Sequence, residues 1–248
     1  MATPQLTWAS AGLDDVPAQG DWMDDTLALR LETMRYTKRH SEARLARWTA
    51  KMAIAKTLEL PTDTASLSRV TVRNAPDGAP EAYVDGVPID AVIAMTDRAD
   101  WSVCMVLRDG GRVGCDLELV ETRSRAFVDD YLTAAEREAV ARSTDIAVTA
   151  NAIWSAKESA LKVLRTGLRR DTRTVEVTLH GDGAESWHAL SVADQGGKVF
   201  PGWWTRYGDF LLTCATAGST TEPVPLEEPP GIATGIPSHR WMETPLRY

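Results

Sequence analysis

The sequence predicts an α/β protein of two similar halves, each a long helix packed on a small, mainly antiparallel sheet. Three observations predict it. Apolar residues make up 44% and charged residues 25% of the chain, a balance that can fill a globular core. A long helical pattern followed by alternating stretches occurs twice, and a segment of the first occurrence is repeated in the second. At 248 residues, one large domain or two small ones are both open.

The first half begins with a helical pattern over residues 27–60, which Pro61 ends. Four alternating stretches follow, separated in part by the turn signals Asp77-Gly78 and Asp85-Gly86. They predict one small sheet. The stretches are residues 70–72, 82–84, 91–94 and 103–107.

The second half begins after the break Asp109-Gly110-Gly111. It predicts a strand at 112–119, helices at 133–142 and 151–164, and strands at 175–179, 188–192 and 210–214. We therefore divide the chain into four parts. They are an irregular acidic lead-in (1–26), the two halves (27–109 and 110–217) and a Pro-rich extended tail outside the core (218–248).

The repeat lies in the two long helices. Residues 46–58 and 152–164 coincide without gaps at Ala, Trp, Ala, Lys, Lys and Leu. Helices favour alanine, lysine and leucine in general, but the paired tryptophans and lysines make coincidence a weak explanation. The halves differ at one point of interest, where Met52 stands opposite Glu158, so only the second half carries an acid there.

Composition argues against several classes of function. A net charge of −8 gives no support to nucleic-acid binding. Three widely spaced cysteines without a C-x-x-C pair predict buried free thiols and argue against a disulfide framework or a zinc site. The sequence shows no secretory signal and no run of eighteen apolar residues, so we expect a cytoplasmic protein without a membrane partner.

Two carboxylates mark the predicted strand at 112–119. Asp116 and Glu118 are two residues apart, so both side chains face one side of the strand. Two like charges at about 4 Å repel by roughly 4 kcal/mol at an effective dielectric near 20. A bound cation or exposure to water offsets that repulsion, and a solvated edge strand is the alternative interpretation.

The second long helix offers further charged groups. Helical spacing places Trp154, Glu158 and Lys162 on one face. Glu158 can join Asp116 and Glu118 as a third oxygen ligand, and three carboxylates suit magnesium. The alternative is a surface pair between Glu158 and Lys162, which contributes only tenths of a kcal/mol.

These two segments resemble a known family. The run Gly114-Cys115-Asp116-Leu117-Glu118, followed by W-S-A-K-E-S-A-L-K at 154–162, resembles the signature pair of the phosphopantetheinyl transferases. It is most similar to the larger, pseudo-dimeric type that activates surfactin synthetase. Weaker matches extend the resemblance over residues 35–214, at 47–51, 78–80, 131–136 and 167–168.

The resemblance implies a pseudo-twofold arrangement with the active site between the halves, and a specific chemistry. Asp116, Glu118 and Glu158 would bind Mg²⁺, or alternatively Mn²⁺, against the pyrophosphate of coenzyme A. Glu158 would also take the proton from a serine of an apo acyl or peptidyl carrier protein. Lys162 would stabilise charge on the phosphates as adenosine 3′,5′-bisphosphate leaves. The family also implies a monomer.

The chain departs from the family pattern in the first half. Thr96-Asp97-Arg98 stands where the family carries a histidine that contacts the 3′-phosphate of coenzyme A, and Ala79 replaces a lysine. Either Asp97 turns away, for example onto Arg98, or Arg98 makes the contact. The remaining candidate coenzyme A contacts are basic residues that could equally form a solvated surface: Arg39, Arg47, Lys51 and Lys157.

Two other functions remain open at this point. The first is a catalytically silent relative that binds coenzyme A or carrier proteins, which the missing histidine and lysine motivate. The second is an unrelated magnesium-dependent enzyme, which leaves the repeat unexplained. We expect Trp203-Trp204 to belong to the core. A set of arginines could receive an acidic carrier helix or be a scattered basic surface: Arg123, Arg125, Arg165, Arg169, Arg170 and Arg173.

Overall fold

The computed structural model describes residues 3–108, 110–181 and 186–240. Three parts of the predicted organisation lie outside these residues: the first two residues of the lead-in, Asp109 at the predicted break, and residues 241–248 of the tail. Among the helices of the described ranges, none has the length and apolar character needed to cross a membrane.

The lead-in and the first half together contain six strands and three α-helices within the described residues. In chain order they are β1 (Leu6–Gly12), α1 (Asp25–Glu32), α2 (Thr37–Thr57), α3 (Thr64–Ser68), β2 (Val70–Asn74), β3 (Pro80–Val84), β4 (Val87–Pro88), β5 (Ala91–Arg98) and β6 (Trp101–Arg108).

The second half follows with the same kinds of element. They are β7 (Val113–Leu119), α4 (Arg125–Tyr131), α5 (Ala134–Arg142), α6 (Ile146–Val163), β8 (Val175–Leu179), β9 (His188–Asp194), β10 (Val199–Tyr207), β11 (Phe210–Thr216) and β12 (Val224–Pro225). All strands and helices predicted for 112–214 are present. The sequence analysis missed the helix α4 and the strand β10, in which Pro201 and Gly202 interrupt the alternating pattern.

The strands form three sheets. Their orders are β12-β1-β6-β5, β7-β11-β10-β9-β8 and β2-β3-β4, and all neighbours are antiparallel except β1 and β12. The prediction of one small sheet in the first half is wrong. The strands β5 and β6 pair with β1, far away in the sequence, and leave β2–β4 as a separate sheet.

The predicted helix at 27–60 is two helices. Asp24 caps the start of α1, where its side chain accepts a hydrogen bond from the backbone N–H of Leu27 at 3.1 Å. The chain leaves the helix at Thr33, whose hydroxyl donates to the carbonyl of Arg30. Such local side-chain bonds compete with helix continuation, and α2 starts afresh at Thr37.

Both ends of the described chain pack on the first sheet, which corrects two expectations. The lead-in is not irregular throughout: β1 pairs with β6 over its whole length, and Trp8 is fully buried. The tail does not lie outside the core, because β12 pairs with β1 and Ile232 is fully buried. These contacts join residues far apart in the chain, so local composition gives no sign of them.

The mixed α/β fold is confirmed, and one apolar core joins the two halves. Trp8 and Met105 from the first half pack with Leu117, Phe210 and Leu212 from the second. A strand, three α-helices of which one is long, and a five-residue strand follow one another twice along the chain. The pseudo-twofold relation between the halves stays a prediction.

Candidate functional site

The two motif segments meet because Gly114 allows α6 to lie directly on β7. A Cβ atom at Gly114 would stand 2.1 Å from the carbonyl oxygen of Ser159 and 2.8 Å from Cβ of Lys162. The hydroxyl of Ser155 donates to the carbonyl of Asp116 at 3.1 Å, one turn earlier on the same helix. The helix face predicted from spacing is therefore held against the strand that carries the carboxylates.

Asp116 and Lys162 form the centre of the site. Lys162 Nζ lies 3.0 Å from Asp116 Oδ1 and donates to the carbonyl of Cys115 at 2.7 Å. Thr96 on β5 also faces Asp116 Oδ1, at 3.5 Å, and its hydroxyl accepts from the N–H of Leu117. Asp116 Oδ2 is buried and has no hydrogen-bond partner within the described part of the chain.

Glu118 lies beside Asp116 and faces three other side chains. Its Oε1 accepts a hydrogen bond from Trp154 Nε1 at 3.0 Å. Its Oε2 lies 3.2 Å from Arg123 Nη2 and 3.5 Å from Arg98 Nε. Burial, followed by repulsion from Asp116, raises the pKa of the Glu118 carboxyl.

Glu158 is partly exposed at the same place. Burial and the charges of Asp116 and Glu118 raise the pKa of its carboxyl to about 7, although Lys162 acts in the opposite direction. Lys162 loses hydration by burial, but Asp116, Cys115 and Glu158 together outweigh that loss and raise the pKa of the ammonium group above its ordinary value. The carboxylates thus lie close enough to repel one another, with one lysine among them.

The structure does not arrange the predicted metal ligands as a closed cluster. Across the described ranges there is no group of three or more His, Cys, Asp or Glu side chains placed to hold a metal ion. The ligand set Asp116, Glu118 and Glu158 therefore stays a prediction. The unpartnered, buried oxygen of Asp116 fits a cation, because a buried polar atom without a partner is costly.

Lys51 and Lys157 do not contact a phosphate site, which corrects the sequence-based expectation. Both side chains are fully buried. Lys51 Nζ donates to the carbonyls of Trp22 and Leu67 and lies 2.8 Å from Asp24. An ammonium group has three protons, and these partners use all three.

Lys157 repeats this arrangement in the second half. Its Nζ donates to the carbonyls of Thr172 and Val175 and lies 2.8 Å from Glu136. Glu136 in turn accepts from the backbone N–H of Val177 at 2.7 Å. Lys157 thus joins α6 to α5 and β8.

Two cavities adjoin each other: one lies next to Lys162, and the other lies on the first half. The larger, of about 500 Å³, is bordered by the turn 77–80, by β5 and by the residues after α6. Its basic residues are Arg112, Lys162, Arg165 and Arg169. Asp77 and Arg165, at 2.9 Å, form an ion pair across its border.

The smaller cavity, of about 360 Å³, shares Gly78, Pro80 and Met95 with the larger one and is bordered by α1 and α2. Its basic residues are Arg30, Arg39 and Arg47. Arg47 Nη2 donates to Asn74 Oδ1 at 2.7 Å. Burial and the neighbouring Arg30 lower the pKa of Arg47 to about 10. Two of the predicted contacts, Arg39 and Arg47, therefore meet in one cavity.

The departure at 96–98 is resolved in part. Arg98 faces Glu118 and Glu121, each at 3.5 Å, and so lies on the acidic side of β5. Asp97 borders the smaller cavity with the arginines. The sequence analysis offered two places for Arg98, beside Asp97 or at the 3′-phosphate. The structure instead places Arg98 beside Glu118 and Glu121.

Several site residues escaped the sequence analysis. Thr96 was noted only as part of a missing motif, and Arg30, Arg112 and Glu121 were not noted. Their only signal is proximity in three dimensions. Arg123 was assigned to a possible docking surface, whereas it pairs with Glu118. The expectation of core residues at 203–204 is confirmed for Trp204, which is 2% exposed, whereas Trp203 is only partly buried against the core. All three cysteines are free and buried.

One comparison with known proteins covers the segment that carries this site. Residues 112–214, somewhat less than half of the chain, match the 4′-phosphopantetheinyl transferase superfamily. No curated protein matches the chain. Similar solved structures include the holo-ACP-synthase from Plasmodium yoelii, with 12% identity, a TM-score of 0.35, and coverage of 44% of this chain and 98% of that one.

A second similar structure is the holo-[acyl-carrier-protein] synthase of Thermotoga maritima. It has 15% identity and a TM-score of 0.34 and covers 53% of this chain and 76% of that one. The segment that matches the 4′-phosphopantetheinyl transferase superfamily, residues 112–214, is the one that carries Asp116, Glu118, Glu158 and Lys162.

Proposed function

We propose that this protein transfers the 4′-phosphopantetheine group of coenzyme A to a serine of an apo acyl or peptidyl carrier protein. The products are holo-carrier protein and adenosine 3′,5′-bisphosphate. The observation that supports the proposal best is the group Asp116–Lys162–Glu158 beside a basic cavity, within the segment that matches the superfamily. We assign the chain to the larger, surfactin-synthetase-activating type because each half carries a long helix with one buried lysine that pairs with a carboxylate.

The two adjoining cavities suit a ligand with several phosphates. Arg30, Arg39 and Arg47 give the smaller cavity positive charge, and Lys162, Arg165 and Arg169 do so for the larger one. In this arrangement the 3′-phosphate of coenzyme A contacts the Arg47 side and the pyrophosphate contacts Lys162. Guanidinium groups match phosphate oxygens in geometry as well as charge.

The residues around Lys162 supply the chemistry. Lys162 is fixed by Asp116 and by the carbonyl of Cys115, so its charge is in place before the substrate arrives. Glu158 lies one helical turn before Lys162 and accepts the proton of the carrier serine, directly or through water. Asp116, Glu118 and Glu158 would hold Mg²⁺, which would offset the negative charge of the pyrophosphate.

The experiment is mass spectrometry of an apo-carrier protein after incubation with coenzyme A and magnesium. We expect the carrier to gain one phosphopantetheine mass, and expect a carrier whose acceptor serine is replaced by alanine to gain none. A protein that binds coenzyme A in calorimetry but leaves several different carriers unmodified would be the silent relative. A monomeric, cytoplasmic protein is part of the proposal, and size-exclusion chromatography with light scattering tests the monomer.

A further inference from the structure

Asp97 on β5 borders the smaller cavity, and the proposed chemistry leaves it without a role. Residues alternate along a strand, so Asp97 shares its face of β5 with Met95, which borders the same cavity. Thr96 and Arg98 lie on the opposite face, where they approach the carboxylates of β7. Asp97 therefore gives this wall of the cavity a negatively charged group.

The Asp97 carboxyl is available to a ligand. Three arginines border the same cavity: Arg30, Arg39 and Arg47. None of them forms an ion pair with Asp97, and within residues 3–108, 110–181 and 186–240 the Asp97 carboxyl accepts no hydrogen bond. Asp97 is also an exposed residue. A carboxylate is an acceptor only, so the ligand group that suits it is a hydrogen-bond donor.

Asp97 lies between the two places that the proposed function assigns to phosphates. On one side are the arginines of the smaller cavity. On the other side is Lys162: loss of hydration, followed by the charge of Glu42, raises the pKa of the Asp97 carboxyl, and the nearby charge of Lys162 acts in the opposite direction. A ligand with one phosphate beside Arg47 and others beside Lys162 therefore passes Asp97 with its middle part.

We propose that Asp97 makes the site specific for ribose by accepting a hydrogen bond from the 2′-hydroxyl group of coenzyme A. This inference rests on the proposed function, which places the 3′-phosphate beside Arg47 and the pyrophosphate beside Lys162. The ribose is the part of coenzyme A that joins these phosphates. Its 2′-hydroxyl is its one free hydroxyl group and lies next to the carbon that carries the 3′-phosphate.

The chemistry of a carboxylate favours the hydroxyl over a phosphate as the partner of Asp97. A carboxylate repels a phosphate, because both are negatively charged. A hydroxyl donates to a carboxylate, and acidic residues of dinucleotide-binding folds recognise the ribose 2′-hydroxyl in this way. The arginines then contact the 3′-phosphate, and Asp97 disfavours a second phosphate at the 2′ position.

The test is calorimetry with two probes that require no carrier protein: adenosine 3′,5′-bisphosphate and 2′-deoxyadenosine 3′,5′-bisphosphate. It uses the whole protein as wild type, Asp97→Ala and Glu42→Ala. Glu42→Ala is the matched control, because Glu42 borders the same cavity and its loss removes the same negative charge. Either variant should bind both anionic probes more tightly than the wild type does. The ratio of the two dissociation constants separates the variants.

We expect the wild type to bind the ribose probe about tenfold more tightly than the deoxyribose probe. This is the lower end of what a charge-assisted hydrogen bond contributes, because water can reach Asp97 when the hydroxyl is absent. The ratio should fall to about one in Asp97→Ala and stay near tenfold in Glu42→Ala. The comparison of variants also removes the effect of sugar pucker, which differs between the probes in every variant alike.

Equal binding of the two probes by the wild type would overturn the inference, and so would a ratio that changes equally in both variants or no binding of either probe. If Asp97→Ala does not fold, Asp97→Asn replaces it. Its neutral amide oxygen accepts a weaker hydrogen bond, so the ratio should fall to about threefold, and an unchanged ratio would contradict the proposal. Transfer to a carrier is measured separately: absent transfer contradicts the proposed function, whereas the ratio tests Asp97.

Discussion

Lys51 and Lys157 occupy matching positions in the two long helices and make matching contacts. Each is fully buried, donates to two backbone carbonyls and lies 2.8 Å from a carboxylate, Asp24 for Lys51 and Glu136 for Lys157. The repeat found in the sequence is therefore a repeat of structure at these two residues. Both lysines fix a long helix to its surroundings. On α6, the site residues Glu158 and Lys162 follow directly after Lys157, whereas on α2 the cavity residues Arg39 and Arg47 precede Lys51.

The first prediction concerns the stability of the pair Lys157–Glu136. Lys157→Met leaves a buried carboxylate and two carbonyls without a partner, and breaking such a pair costs about 3–5 kcal/mol. The free energy of unfolding, measured with urea, should fall by that amount. Arg125→Met is the control, because Arg125 is 95% exposed and its pair with Asp129 contributes at most about 1 kcal/mol. Equal losses in the two variants would contradict the assignment.

The second prediction separates Glu158 from Glu136. Glu158→Gln should lower kcat strongly while the melting temperature changes little, because this side chain is partly exposed beside Lys162. Glu136→Gln should lower the melting temperature, because Glu136 is 1% exposed and accepts from Lys157 and Val177. Its kcat per folded molecule should stay near the wild-type value. Similar losses of kcat in both variants at a temperature where both are folded would reject the ranking.

The third prediction concerns the divalent cation. Transfer should stop in excess chelator and return on addition of Mg²⁺ or Mn²⁺. The unpartnered oxygen of Asp116 and the negative charges of Asp116 and Glu118 near Glu158 suit a cation. The measurement is the phosphopantetheine mass gained by the apo-carrier. Calcium, which is larger and less strict in geometry, is a useful comparison. Full transfer in chelator would remove magnesium from the proposal.

The fourth prediction concerns the 3′-phosphate of coenzyme A. Arg47 borders the smaller cavity, whereas Arg98 pairs with Glu118 and Glu121. The wild type should favour coenzyme A over 3′-dephospho-coenzyme A, since a charge-assisted hydrogen bond contributes about 1.5–3 kcal/mol. The ratio of kcat/KM for the two donors should fall in Arg47→Ala and persist in Arg98→Ala. The opposite order would place the phosphate on the Arg98 side of β5.

The fifth prediction concerns Gly114. A Cβ atom there overlaps a backbone oxygen of α6 at 2.1 Å, and a backbone atom cannot move aside as a flexible side chain can. Gly114→Ala should therefore separate β7 from α6, lower the free energy of unfolding by about 1–3 kcal/mol, as overpacking does, and reduce transfer. Gly86→Ala is the matched control for loss of glycine, because no atom lies within 4 Å of the added group; its positive φ alone adds strain. A fully active Gly114→Ala would contradict the close approach.

The sequence by itself determined the α/β class, the second-half elements from β7 to β11 except α4 and β10, and the segment that carries the chemistry. These features depend on local periodicity and on residues close together in the chain, such as Asp116 and Glu118 on one strand face and Glu158 and Lys162 on one helix face. Which residues share a face of a strand or a helix depends only on their spacing in the chain, and not on how the elements pack.

The tertiary structure alone decided the roles of individual charges. Lys51 and Lys157 resemble surface lysines in sequence, but burial next to Asp24 and Glu136 makes them internal supports. Arg98 could have faced a phosphate, yet at the end of β5 it lies beside Glu118 and Glu121. Likewise β1 and β12 become sheet strands only because they meet each other and β6 across the fold. A charge acquires its role from its partners, and partners distant in the chain are brought together only by packing.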